Sequence, residues 1–558
     1  MTKPVDESGG ARRLFLKSGF AAATLAATDG RLGFVDPLFA EQAASPTPTG
    51  RAALNLDTTP DTYVLFLDMQ EVEELLLCEQ VVNQATKHPA NPVLPLGTEN
   101  QWDGNRASPW GGSLFYDAQE KLFKAWYHGH DVETGANTQR RMAIGYAVSE
   151  NGIEWHKPKL GLYDYKGRTD NNMCYRAPDR ATGHFNVVKD PGEPDPQRRY
   201  QALAEINVAT DGSRRVRHVA HYSADGIHWQ RSGNGVQEPV NGTDVGFIFI
   251  DEADIPQRRV KAYGQHACFT GPDIEHLKFV GKVLSATDGN EHENHFVHTT
   301  RYRNHFPMLY DFNRFRPYYG HHVRRDAERQ KIVLSRIERR RGSLPLEDLE
   351  KQYDICVGDV RLATSRDPLA MFQRIQPDSA VVARGERGEW DSGYLVLGGG
   401  SLIVHNDQIL IFYSAMAEEA ASAFPGPSGR TGPVMTGLAT LPKDGFTYLR
   451  ARDGLTRGAM TTKPILVREP GNAKLSVNVS HVVPWHDWVS VEVLDAETLL
   501  PIPGYSRHES MGVMTNGTSR IARWQRHATL QGVNVSQIRL RFYFYGKARL
   551  YSFTFSPA

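Results

Sequence analysis

An all-β chain is what this sequence predicts: a five-bladed β-propeller followed by a C-terminal β-sandwich. Three observations predict it. A turn motif, S-x-[ND]-G-I-x-W, occurs at Ser149 and Ser223 and returns in degenerate form further along. Five apolar hairpins with strand-like alternation accompany these turns. Beyond about residue 464 the style changes to alternating strands about ten residues apart.

Composition sets the outer limits. At 558 residues the chain has room for several domains, or for one large repeat array and a small partner. Its 50 glycines and 32 prolines demand many turns, hence short elements. Lys+Arg and Asp+Glu both total 64, so the formal charge is zero. That excludes the basic excess of a nucleic-acid binder and the acidity of a disordered chain. No uncharged apolar stretch reaches the roughly 18 residues of a membrane span.

In chain order, residues 1–44 read as an address. Arg12 and Arg13 are followed by Leu14, Phe15, Leu16 and Lys17, then by a short Ala-rich apolar run. This resembles a twin-arginine export signal, with a small-residue cleavage site near Ala40 or Ala44. It implies the twin-arginine export machinery as a partner and a periplasmic or extracellular location. Residues 45–102 are a spacer and lead-in, within which 68–86 has helical spacing. Export permits disulfides. Cys78, Cys174, Cys268 and Cys356 are far apart and allow three pairings, among which the sequence does not choose.

Residues 103–455 carry the repeat. The turn motif lies in 143–155 and 217–229, with variants at Ser365, at 436–449 and at 269–279. Gly supplies the positive φ of a tight turn, Asp or Asn bonds the turn backbone, and the aromatic folds back between sheets. The hairpins are 113–129, 184–206, 245–266, 295–312 and 401–416, the last turning at Asn406-Asp407. Together they give blades over 103–180, 181–238, 239–285, 286–380 and 381–455. The charge-rich stretch 322–352 reads as a solvated loop and charged hairpin inserted in the fourth blade. Residues 456–558 form the sandwich, in the role of a brace.

Certain phrases carry a family resemblance: NQWDGNRASPWGGSLFYD, NVVKDP, VRLATSRD, RGERGEWDSG and ARLYSFTF. In this order they resemble the superfamily of invertase, levansucrase and arabinanase (glycoside hydrolase families 32, 43 and 68), and in particular a bacterial branch of family-32-like proteins. The resemblance covers about residues 60–558. It implies catalytic carboxylates at a central funnel, contributed by the innermost strands of different blades. Glycosidic cleavage passes through an oxocarbenium-like state, so one carboxylic acid protonates the leaving oxygen while a second carboxylate attacks or activates water.

On that resemblance Glu293 is the general acid, set in Glu291-His292-Glu293-Asn294-His295 with Arg301 nearby. Asp391 or Asp244 is base or nucleophile, and Asp190, in the K-D-P segment, orients substrate. Trp110 and Trp390 are sugar-stacking platforms. Asn171 and Asn172 are either sugar-hydroxyl binders or an ordinary Asx turn. The family's N-D-P-N-G nucleophile segment is here Ser108-Pro109-Trp110-Gly111, without Asp; Asp103 is the nearest carboxylate. If Asp103 does not reach the funnel, the outcome is inverting, with carboxylates about 6.5–9.5 Å apart.

No cofactor is indicated, and a calcium ion in the central channel is left open. The His292/His295 and His321-His322 groups are too closely spaced along a strand to share one metal face. Three functions follow: a glycoside hydrolase acting on an oligo- or polysaccharide, a non-catalytic carbohydrate-binding propeller, and a structural or interaction scaffold. They differ in whether carboxylates from separate blades meet in one open pocket.

Overall fold

The recurring turn is built as its chemistry requires. In the computed structural model, Ser149 Oγ accepts the Gly152 N–H at 2.8 Å, and Asn151 Oδ1 accepts those of Ile153 and Glu154, both at 2.9 Å. Ser223 and Asp225 repeat the pattern onto Gly226, Ile227 and His228. Gly152 and Gly226 sit at φ 74° and 76°, a region glycine enters without a steric penalty. Asp273 and Asp367 cap the degenerate copies through the backbone of Glu275 and Leu369. The aromatics then fold back: Trp155 stands edge-on to Phe412 at 6.2 Å and Trp229 to Phe185 at 5.1 Å.

The structure describes residues 56–60, 62–131, 142–177, 182–207, 216–236, 245–264, 266–284, 292–293, 296–315, 356–386, 388–417 and 433–558. The export-signal residues and the charged stretch 322–352 lie outside these. The described secondary structure is strands, with three single-turn 3-10 segments and no α-helix among the described residues.

Successive antiparallel meanders follow the chain. The first runs Arg106–Asp117, Leu122–His130, Ala143–Ser149 and Met173–Tyr175. The second is Thr182–Lys189, Tyr200–Asn207, Val216–Ser223 and Gln230–Val236; the third is Val245–Ile250, Val260–Gly264, Ala267–Gly271 and Lys278–Lys282. The fourth pairs His292–Glu293 and Val297–Thr299 with Phe306–Phe315, then Cys356–Ser365 and Gln373–Arg374. The fifth is Tyr394–His405, Gln408–Met416 and Met435–Pro442. Its hairpin turns at Asn406 and Asp407, both at positive φ (47° and 59°), as a two-residue type I′ turn demands. Its outer strand comes from far upstream, because Thr86–Lys87 pairs with Thr440 and Ala439. Chain that precedes the first meander therefore completes the last.

Two further sheets share one apolar core. One contains Tyr63–Leu65, Cys78–Val82, Thr447–Ala451, Ala473–Ser480, Gly517–Ile521 and Arg549–Pro557. The other contains Val72–Leu76, Arg457–Thr462, Ile465–Leu466, Trp488–Asp495 and Gln537–Tyr545. Gln537–Tyr545 alternates strictly, burying Ile538, Leu540, Phe542 and Phe544. These side chains meet Val477, Leu550 and Phe553 of the opposite sheet, with Phe542 and Phe553 at 5.4 Å. Burying each such side chain stabilises by roughly 1.5–3 kcal/mol.

The helix expected over 68–86 is instead strand. Val72–Leu76 pairs with Arg457–Thr462, and Cys78–Val82 with Thr447–Ala451. A helix needs its apolar stripe covered on one face, yet Leu75, Leu76 and Leu77 remain exposed. Leu77, at φ 53°, breaks the run between the two strands. Pairing with strands far along the chain overrides local spacing. Cys78, Cys174 and Cys268 are buried free thiols.

Candidate functional site

The inner strands Arg106–Asp117 and Tyr394–His405 run parallel, with Ser113 opposite Gly399. Both are interrupted at this level. Between Ser108 and Ser113, five steps answer two on the partner, His128 to Trp126. Between Leu397 and Leu402, five steps again answer two, Tyr413 to Ile411. The two bulges pack backbone against backbone: a Cβ on Gly399 would lie 2.0 Å from the Gly112 carbonyl oxygen, and one on Gly400 only 1.5 Å from that of Leu114. The extra length of the first bulge carries Trp110. Bulges re-aim side chains in this way beside many active sites.

Trp110 is held by its backbone. Its N–H donates to Ser414 Oγ at 3.0 Å, and its carbonyl accepts from Arg106 Nη2 at 2.7 Å. The half-buried indole lies 6.4 Å from the Tyr394 ring, and the Arg106 guanidinium stands 4.6 Å from its centroid. Next to this bulge are two imidazoles, since a Cβ on Gly111 would come within 2.8 Å of His184 and 2.9 Å of His128. His128 Nε2 is 2.6 Å from the Gly183 carbonyl oxygen. His184 Nδ1 is 3.3 Å from Glu205 Oε2 and 3.1 Å from the Val245 carbonyl oxygen. Asn186 Nδ2 donates to that same oxygen at 2.6 Å. Val245 and Phe296, the latter edge-on to His184 at 5.2 Å, bring in the third and fourth meanders.

Burial sets the charge state. It drives the His128 pKa well below the ordinary value, with the neighbouring Arg106 and His184 adding to the effect. His130, cross-strand from Arg106, is pushed down to about 4 by burial and then by that guanidinium. Arg106 is lowered by burial to about 9 and stays a cation at neutral pH. The site therefore offers an aromatic face, a buried cation, neutral His128 and His130, and a carboxylate–imidazole contact. These are the elements of sugar stacking and proton transfer.

The opposite ends of the inner strands are tied together by ion pairs. Asp117 binds Lys189 at 2.7 Å, Asp190 binds Arg259 at 2.5 Å, and Asp251 binds Arg301 at 2.7 Å. Each carboxylate ends an inner strand and meets a cation of the next meander. A cavity of about 350 Å³ opens at this end, walled largely by apolar side chains such as Leu114, Val187, Ile248 and Leu402.

The residues singled out in the sequence are thus dispersed. Trp110 lies at the bulge. Asp190 and Arg301 lie at the braced end, and Asp190 also accepts the Gly192 N–H within its turn. Asp391 is buried in the fifth meander, 2.6 Å from Lys87 Nζ and accepting the Tyr413 hydroxyl at 2.9 Å. Trp390 stacks on that tyrosine at 5.9 Å. Asn172 joins Trp102 and Tyr127 in a buried network with Asp103, and Asn171 accepts the Met173 N–H as an Asx turn does. The backbone of Glu293 pairs with Asn313 in the fourth meander; its side chain, and all of Asp244, lie outside the described residues.

Sequence reading missed Arg106, His128, His184 and Glu205. A repeated Gly-Gly-Ser-Leu, at Gly111–Leu114 and Gly399–Leu402, was the available signal for the paired bulges. The partners of the imidazoles are remote along the chain and carry no local motif.

Buried imidazoles predict a pH response. Burial lowers His130 and His221 to about 4 and His298 to about 3. The unfolded chain protonates them near pH 6.5, so their contribution is complete above that pH and is lost as pH falls towards 4. The slope is about 1.4 kcal/mol per pH unit for each fully coupled imidazole. Neither ring nitrogen of His298 finds a hydrogen-bond partner among the described residues, and the ring stacks on Phe247 at 4.6 Å. Melting curves from pH 7 to 4 should show His298→Phe losing less stability than the parent; an identical slope would remove His298 from this account.

No protein-family model and no curated protein matches the chain. Among solved structures, it is similar to a glycosyl hydrolase from Bacteroides ovatus, at 13% identity and a TM-score of 0.41, over 65% of this chain and 94% of that one. It is also similar to the catalytic domain of a Coprinopsis cinerea family-62 α-L-arabinofuranosidase, at 9% identity and a TM-score of 0.37, over 64% and 97%. A third is a fructofuranosidase variant from Schwanniomyces occidentalis complexed with fructosylnystose, at 10% identity and a TM-score of 0.35, over 88% and 98%. At these identities the likeness assigns no role to any residue.

Proposed function

We propose that the protein is an exported glycoside hydrolase, a five-bladed β-propeller braced by a β-sandwich, acting on an oligo- or polysaccharide beside Trp110, which in this proposal marks the mouth of the site. One observation carries the reading. Trp110 is raised on paired bulges next to the His184–Glu205 contact, and side chains or backbone from the first four meanders converge there. A flat aromatic face beside proton-transferring groups is what glycosidic cleavage needs.

In this reading Glu293 is the general acid and Asp244 the base or nucleophile. Both are close in sequence to residues of the mouth: Phe296 follows Glu293, and Val245 follows Asp244. Glu205 orients His184 and supports proton movement near the leaving oxygen. The ion-paired Asp190 and Asp391 are assigned to bracing. Residues 1–44 direct export by the twin-arginine route.

The test is a chromogenic glycoside panel applied to the periplasmic fraction of cells expressing the full chain. Turnover is expected there, and it should fall about 10²–10⁴-fold in Glu293→Gln. Replacing Arg12 and Arg13 by lysine should leave the protein in the cytoplasm. Undiminished turnover in Glu293→Gln would remove that residue as the acid.

A second reading has its own support. Asp190 and Asp391 are neutralised by cations, and Ser108 stands where the family's nucleophile would be. These features favour a non-catalytic carbohydrate-binding propeller, which would bind the sugars of the panel without cleaving any.

A further inference from the structure

Buried cations among the described residues follow a rule with one exception. Lys124, Lys261, Arg361 and Arg106 are the buried basic side chains. Lys124 holds Asp117 at 3.2 Å, Lys261 holds Asp254 at 2.7 Å, and Arg361 holds Asp359 at 2.7 Å. Arg106 has no carboxylate among the described residues. Its Nη2 donates to the Trp110 carbonyl and its face meets the Trp110 ring, while its Nε is buried without a partner. The groups nearest it in charge, His128, His130 and His184, supply no negative charge.

A guanidinium taken out of water without a counter-charge is costly, because nothing replaces the hydration it has lost. An incoming anion that forms charge-assisted, bidentate hydrogen bonds with the guanidinium offsets that cost. Arg301, the cation the sequence offered for substrate binding, is held by Asp251 at the braced end, so Arg106 adds a chemical demand of its own beside Trp110.

We propose that Arg106 holds the carboxylate of an acidic sugar, so that the substrate is a glycan containing uronic acid. The inference rests on the reading of the Trp110 mouth as a glycan site and deepens it. The planar fork matches a carboxylate in two parallel hydrogen bonds, and the indole beside it takes the apolar face of the same ring. Arg106 is at once the charge and the brace of the bulge, through the Trp110 carbonyl. A test must therefore separate recognition from support.

Titration of the full chain with free galacturonate and glucuronate, followed by tryptophan fluorescence at low salt, is set against galactose and glucose. Uronates should bind at least about tenfold more tightly than their neutral counterparts. Arg106→Gln keeps a donor for the Trp110 carbonyl but removes the charge. It should lose about 30-fold or more in uronate affinity and at least about tenfold less than that in neutral-sugar affinity, and Arg106→Lys should fall between. Equal weakening towards both classes would mean that Arg106 only supports the bulge, and would overturn the proposal. So would neutral sugars binding as well as uronates in the parent, which leaves the glycan site itself standing. Tighter binding of galactose 6-sulfate than of either uronate would overturn the carboxylate assignment. Binding of none of these sugars would overturn both this proposal and the glycan reading on which it rests.

Discussion

Gly400→Ala is expected to lower stability by about 4 kcal/mol or more, read as a fall in the urea midpoint. Two costs combine. Gly400 is at φ 77°, where an L side chain costs about 1–2 kcal/mol. Its new Cβ would lie 1.5 Å from the carbonyl oxygen of Leu114, a backbone atom of the neighbouring inner strand that cannot swing aside. One strand must retreat, and the parallel contact between Ser113 and Gly399 goes with it. Gly161→Ala is the control: its φ is 73°, but no atom lies within 4 Å of the added Cβ. That variant should lose only the backbone cost. Equal losses in the two would show that the facing bulges do not constrain each other. Because Trp110 rides on the facing bulge, Gly400→Ala should also weaken sugar binding in whatever fraction remains folded.

Asp444→Ala is the second large effect, at about 3–6 kcal/mol. The Asp444 carboxylate is buried and accepts Tyr63 OH at 2.5 Å, Tyr302 OH at 2.6 Å and Ser552 Oγ at 2.8 Å. Tyr302 belongs to the turn that opens the strand Phe306–Phe315 of the fourth meander, whereas Tyr63 and Ser552 belong to the six-stranded sheet. One carboxylate thus stitches the meanders to the second assembly. Burial, and then the Asp444 charge, raises the Tyr63 pKa to about 12, so the hydroxyl remains a donor throughout the physiological range. Removing the acceptor orphans the buried Tyr302 and Ser552 hydroxyls and the half-buried Tyr63 hydroxyl, at about 1–3 kcal/mol for each buried one before relaxation. Asp444 also sits at φ 62°, which asparagine tolerates better than alanine. Asp444→Asn, keeping one acceptor oxygen, should cost about half as much. An alanine variant within about 1 kcal/mol of the parent would show that the junction is held elsewhere.

Legibility followed the range of the interactions. The hairpins and the serine–Asx turns could be read because every partner in them lies within a few residues: Ser149 needs Gly152, and Asn151 needs Glu154. The strand nature of 72–82 could not, because its hydrogen-bond partners are Thr447–Ala451 and Arg457–Thr462. The same holds for Thr86–Lys87, whose outer-edge position depends on Met435–Pro442. In the site, Trp110 was legible as an aromatic before a glycine pair. The environment of a carboxylate was not. Asp190 sits in a K-D-P segment that reads as a ligand for sugar hydroxyls, and it is the approach of Arg259 that makes it a brace. Asp391 beside Trp390 reads as a base or nucleophile next to a sugar-stacking ring, yet Lys87 neutralises it from more than three hundred residues away.

By itself, then, the sequence determined that the chain is built of short strands, where most of its hairpins turn, and that an aromatic, Trp110, precedes a glycine pair at the first hairpin. Alternation, glycine and Asx chemistry act locally, and local physics survives in a linear text. The tertiary structure alone decided which charges are spent and which are left over. Electrostatics acts through space, and the neighbours that bind Asp190 and Asp391, or leave Arg106 without a counter-charge among the described residues, are set by how the sheets pack.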